Sequence, residues 1–196
     1  MPRPLLVVVC GLPGAGKSAL ADALGRALPA PVLSVDPVEA ALWRAGIGRE
    51  QPTGLAAYAV AQELAGRVLA LGQAVVADAV NDAPQARAAW ADLARTRGAR
   101  CRFVEVRCPD EQLHRRRLET RVRDLDGFPE PAWEAVQRRR AAFADWTGER
   151  LVADSRRPLP ELVSEVLADL AEPARPLHPA DPADPADPVT SPPPRS

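Results

Sequence analysis

Leu5-Leu6-Val7-Val8-Val9-Cys10-Gly11-Leu12-Pro13-Gly14-Ala15-Gly16-Lys17-Ser18 is the stretch that decides how this chain of 196 residues folds. An apolar, β-branched run ends on G-x-x-x-x-G-K-[ST], and Ser18–Leu28 continues with helical spacing. A strand entering a glycine-rich turn and then a helix directs backbone N–H groups into a concavity where a Cβ would intrude. The helix brings the positive end of its dipole to the same place. The ligand implied is the polyphosphate of a nucleoside triphosphate, cradled by Gly11, Leu12, Pro13, Gly14, Ala15, Gly16, Lys17 and Ser18. Lys17 would reach the β- and γ-phosphates, and the Ser18 hydroxyl would ligate Mg²⁺. Lys17 is the only lysine in the chain; every other basic residue is arginine. That fits a tight loop, where a planar guanidinium cannot replace a compact ammonium.

Outward from this stretch, apolar runs and helical patterns alternate. Strands are expected at Leu5–Cys10, Pro31–Val35, Ala74–Val80, Cys101–Arg107 and Arg150–Ala153. Helices are expected at Ser18–Leu28, Leu55–Leu71, Gln85–Arg97, Glu111–Leu125, Ala132–Phe143 and Leu159–Leu170. The alternation predicts an α/β fold, a parallel sheet flanked by helices, with ligands at the C-terminal ends of the strands. One domain over residues 1–172 is expected, then a Pro/Ala/Asp-rich disordered tail over 173–196 with three Ala-Asp-Pro units.

Composition excludes several classes. A net charge of −1 gives no general basis for nucleic-acid or membrane adsorption. Cys10, Cys101 and Cys108 are odd in number and lack C-x-x-C spacing, and His114 and His178 form no metal pair. A reducing cytoplasm fits best. Leu5–Cys10 is too short for a secretory or membrane segment and reads as a buried strand.

Two aspartates follow apolar runs, Asp36 after Val32–Val35 and Asp78 within Ala74–Val80. Both should reach the sheet edge beside the loop, one accepting the proton of an attacking hydroxyl and one holding Mg²⁺. Asp36, before Pro37 and Glu39, also has the pattern of a helix cap. Arg117 and Arg121 are four apart on the expected helix Glu111–Leu125, so they share a face and could neutralise a transferring phosphoryl group. Arg115, Arg116 and Arg138–Arg140 read as charged helix faces. Asp124-Leu125-Asp126-Gly127 matches D-x-x-G, but an N-K-x-D guanine signature is impossible with the sole lysine at 17. Asp126–Pro129 resembles the D-G-F-P-R of adenylate kinases with Glu130 in place of arginine, and both stretches are expected to form a turn between helices.

Taken in order, these elements from Leu5 to about Leu170 resemble the P-loop kinase-like ATP-binding proteins, the AAA-domain predicted kinases. Relatives of that family include polynucleotide 5′-kinase, zeta toxins, gluconate kinase and chloramphenicol phosphotransferase. The resemblance is carried by Gly11–Ser18, Val35-Asp36, Val76-Ala77-Asp78 with Asn81 and Arg87, and Arg117-x-x-x-Arg121. It implies a five-stranded sheet in the order 2-3-1-4-5 and a helical lid over about residues 109–130. It implies Asp36 as general base, Asp78 with Ser18 at the metal, and Arg117 and Arg121 as lid arginines. Lys17, Asp36, Asp78, Arg117 and Arg121 are thus the expected catalytic set, with ATP and Mg²⁺ as cofactors. Polynucleotide kinases carry an arginine three residues after the base aspartate; here Glu39 stands there, which argues against a nucleic-acid substrate and for a small hydroxylated one. The expected activity is transfer of the γ-phosphoryl group of ATP to a hydroxyl of that acceptor. A nucleotide-dependent regulatory module without transfer and a toxin-type nucleotide-sugar kinase are the alternatives. No motif bears on oligomeric state.

Overall fold

Strand β1 (Leu5–Cys10) is the centre of the molecule, and Leu6 to Cys10 are each 0 % exposed. Alternate side chains of a strand point to opposite faces. Leu6, Val8 and Cys10 therefore join one apolar layer with Ala57, Ala61 and Trp90, while Val7 and Val9 join another with Leu20, Leu24 and Val166. Burial on both sides explains why β1 reads as an unbroken apolar run. Each such side chain is worth about 1.5–3 kcal/mol of burial.

The computed structural model describes residues 3–121, 128 and 130–172. After β1 come α1 (Lys17–Ala27), β2 (Val32–Ser34), α2 (Val35–Arg44), α3 (Thr53–Ala70) and β3 (Val75–Asp78). Then follow α4 (Pro84–Thr96), β4 (Arg100–Arg107), α5 (Glu111–Thr120), α6 (Trp133–Ala144), β5 (Leu151–Asp154) and α7 (Leu159–Ala171). All strand pairs are parallel, in the order β2-β3-β1-β4-β5. That is the order the family resemblance implied. The register sets Val9 beside Asp78 and Ser34 beside Asp78, which brings the ends of three strands together. No described helix is long and apolar enough to cross a membrane.

Two elements differ from expectation. Residues after Ser34 do not stay extended: α2 starts directly at Val35, with Ser34 as N-cap and Asp36 in the first turn. Pro37 is compatible with a first turn, where its missing N–H costs nothing, and Asp36 complements the dipole there. Asp36 is thus a first-turn acid rather than the cap. Helix α5 stops at Thr120, and Arg121 is already extended at φ −69°, ψ 134°. Arg117 and Arg121 therefore do not share a helical face. The remainder of the expected helix and the Asp124–Gly127 turn lie outside the described residues, as does the 173–196 tail.

Candidate functional site

The loop between β1 and α1 is clamped from several sides. Gly11 donates its N–H to the carbonyl of Val80 at 3.2 Å, and Ala15 donates to that of Leu12 at 3.0 Å. Gly11 has φ +148°, and a Cβ there would lie 2.6 Å from the Val106 carbonyl oxygen of β4. At Gly14, φ +82°, a Cβ would meet the Leu118 backbone at 3.2 Å and the His114 ring at 3.3 Å. These two glycines let β4 and α5 close on the loop. Gly11→Ala is expected to lower stability by about 1–3 kcal/mol and to shift the loop, read as a lower urea midpoint and weaker nucleotide binding. An alanine variant of wild-type stability and affinity would contradict that contact.

His114 completes the clamp. Its Nε2 donates to the Pro13 carbonyl at 2.8 Å, which assigns the proton to that nitrogen, and its ring stands edge-on to Trp133. Burial lowers its pKa, with Arg140, Arg117 and Arg121 adding to the effect, so the ring is held neutral.

Lys17 begins α1 and is 4 % exposed, yet its ammonium forms no ion pair among the described residues. A buried cation without a counter-charge is costly unless an anionic ligand supplies one. Asp78, at the end of β3, is also 4 % exposed. Its Oδ2 accepts from the Ser34 hydroxyl at 3.0 Å, while its buried Oδ1 has no partner among the described residues. That orphaned carboxylate oxygen, with the exposed Ser18 hydroxyl on α1, fits a hard cation such as Mg²⁺. Among the described residues no group of three or more His, Cys, Asp or Glu gathers, so such an ion would complete its shell with ligand oxygens and water.

Asp36 is half-buried on α2, two residues beyond the serine that binds Asp78. It lies near the Tyr58 phenol, whose pKa is raised by burial first, with Asp82, Cys10 and Asp36 adding to the shift. The Tyr58 oxygen accepts the Asn81 N–H at 3.1 Å.

The two arginines expected to act together have separate partners. Arg117 donates to the Ser155 hydroxyl at 2.9 Å and carbonyl at 3.0 Å, and Ser155 follows β5 and adjoins Gly16. It thus stands beside the loop. Arg121 pairs with Glu130, the residue noted as replacing an arginine.

Other residues singled out in the sequence turn out to be scaffolding. Asn81, 0 % exposed at φ +55°, receives Trp90 Nε1 on its Oδ1, and Arg87 donates to the carbonyls of Asn81 and Asp82. Glu39 accepts from the Thr53 hydroxyl at 2.8 Å, which itself accepts from Trp43 Nε1, tying α2 to the start of α3. Glu39 thus has a structural occupation at the position where polynucleotide kinases carry arginine.

A family model described as AAA domain matches residues 6–143. No curated protein matches the sequence. Among solved structures, a candidate kinase of Chloroflexus aurantiacus superposes with a TM-score of 0.68 at 17 % identity, covering 85 % of this chain and 98 % of that one. The Mycobacterium tuberculosis APS kinase, solved with AMPPNP and APS, gives 0.62 at 21 % identity, covering 88 % and 100 %. A gluconokinase of Sinorhizobium meliloti 1021 gives 0.61 at 23 % identity, covering 87 % and 94 %. At these identities the likeness establishes a P-loop kinase-like fold.

Proposed function

The chain belongs to the AAA-domain family, and from that premise we propose that it transfers the γ-phosphoryl group of ATP to a hydroxyl of a small acceptor. One observation carries the reading: a buried Lys17 sits in a glycine-clamped loop near a buried Asp78, and among the described residues neither the ammonium nor the second Asp78 oxygen has a partner. The kinase names of the neighbouring folds, two of them for small-molecule acceptors, support it.

In this reading Lys17 and the loop amides hold the triphosphate, and Ser18 with Asp78 holds Mg²⁺. The metal supplies charge neutralisation on the phosphates. Asp36 accepts the proton as the acceptor oxygen bonds to the γ-phosphorus; the bond from that phosphorus to the bridging oxygen breaks and ADP leaves with the electron pair. Arg117, next to the loop, stabilises charge on the transferring group, and Arg121 joins it on leaving Glu130.

Asp36→Asn keeps the shape of the side chain and removes its basicity. Turnover should fall about 100-fold or more while ATP affinity stays within a few-fold. Acceptor-dependent ADP release measured beside calorimetric ATP binding separates the two. Unchanged turnover in the variant removes Asp36 as base, and binding without transfer to any acceptor removes the kinase reading.

A further inference from the structure

A cavity of about 300 Å³ lies beside the first residues of the loop, between the C-terminal end of β4 and α6. Leu12, Val106 and Phe143 give it apolar walls, and Glu105, Arg107, His114 and Arg140 supply its polar groups. A volume at the low end of small-molecule sites suits one metabolite-sized group.

Its charge is lopsided. Glu105, 2 % exposed, receives Arg107 Nε at 2.6 Å and Arg150 Nε at 2.5 Å. That single carboxylate thus already faces two guanidinium groups. Arg140 adds a third, and among the described residues its contact is with the Trp133 ring, 5.9 Å away, and not with a carboxylate. Among the residues that line the cavity the excess is one positive charge, and Arg150, which also pairs with Glu105, adds a second behind it, in a chain whose net charge is −1. Charge pairs are stronger in a half-enclosed apolar setting than in open water. His114, held neutral, adds a buried Nδ1 with no partner among the described residues. Leu12 also packs in the same apolar cluster as Val35, the residue before Asp36.

We propose that this cavity recognises an anionic group on the phosphoryl acceptor, a carboxylate or a phosphate, through Arg140 and Arg107. The acceptor is then a small hydroxylated acid or phosphate monoester rather than a neutral polyol. This inference rests on the kinase reading for its word acceptor, but the anion site itself is testable without turnover.

The test is calorimetric titration of the full chain, saturated with ADP and Mg²⁺, with matched pairs: gluconate against glucitol, and glycerate and glycerol 3-phosphate against glycerol. At least one anionic member should bind, and its neutral partner at least tenfold more weakly. Binding confined to the acids or to the phosphate ester identifies which anion is read. Arg140→Met, which removes the charge and keeps an unbranched side chain, should weaken that binding at least tenfold, and Arg140→Lys should recover part of it. With ATP in place of ADP the same variant should raise acceptor KM more than it lowers kcat. Anion binding lost in Arg140→Met but without transfer would uphold the site and remove the kinase reading. Neutral members binding as well as anions, no anion binding, or an Arg140→Met variant with wild-type affinity would overturn the proposal.

Discussion

Lys17→Arg is expected to cost at least ~100-fold in kcat/KM for phosphoryl transfer, although it conserves charge. The loop around Lys17 is closed on three sides, with Gly11 against the β4 backbone, Gly14 against α5 and Gly16 against the Ser155 side chain. A guanidinium is wider than an ammonium and cannot rotate its donors to follow oxygens that change position during transfer. The chain uses arginine for every other basic residue, so composition alone does not account for lysine here. Steady-state kinetics with a coupled ADP assay read the effect, and urea unfolding checks that the variant is folded. An arginine variant with wild-type kinetics would mean that the side chain does not meet the phosphates.

The second large effect is on stability. Glu105→Gln should destabilise the fold by about 3 kcal/mol, near the lower end for breaking a buried ion pair. The carboxylate side chain is 3 % exposed and joins Arg107 with Arg150, whose side chains are 44 % and 14 % exposed. Glutamine leaves Arg150 charged and desolvated against Trp146, whose ring Arg150 and Arg87 both approach, at 4.5 and 4.6 Å. Arg107 can recover solvation at the surface, which keeps the cost from being higher. Chemical denaturation should show a lower midpoint at unchanged m. A shift below 0.5 kcal/mol would show that the triad is electrostatically idle.

The parts of this molecule visible in its sequence are those whose chemistry is local. The loop is one: strand, glycines, lysine and helix are contiguous, so spacing alone implies the cradle. The strands β1 and β3 are another, because burial on both faces leaves unbroken apolar runs there, Leu5–Cys10 and Val75-Val76-Ala77. Helix α2 was hidden because Val32–Val35 continues the apolar pattern of β2, and the change of period falls at Ser34. The end of α5 was hidden because Arg121 and the residues after it carry no glycine or proline stop signal until Gly127.

Contacts across the fold left no periodic trace. His114 meets Pro13 across 101 residues, and Glu105 meets Arg150 across 45. The isolated histidine offered only one signal, its place on the apolar-facing side of an otherwise basic helix with Leu118. Asn81 and Arg87 were visible through family resemblance, but their occupation was not: they brace the turn after β3, and only the geometry around Trp90 and Tyr58 distinguishes bracing from ligand contact. Glu39 is similar, since its charge was legible and its bond to Thr53 was not.

Calorimetric titration of the full chain with Mg·AMPPNP reads directly whether the loop around Lys17 takes up a triphosphate. One site per chain with micromolar affinity, in the usual range for such ligands, and loss of the heat in Lys17→Ala are expected. An intact, folded chain that takes up no Mg-nucleotide, or a Lys17→Ala variant that binds it as well, would mean that the Gly11–Ser18 loop is not a phosphate site.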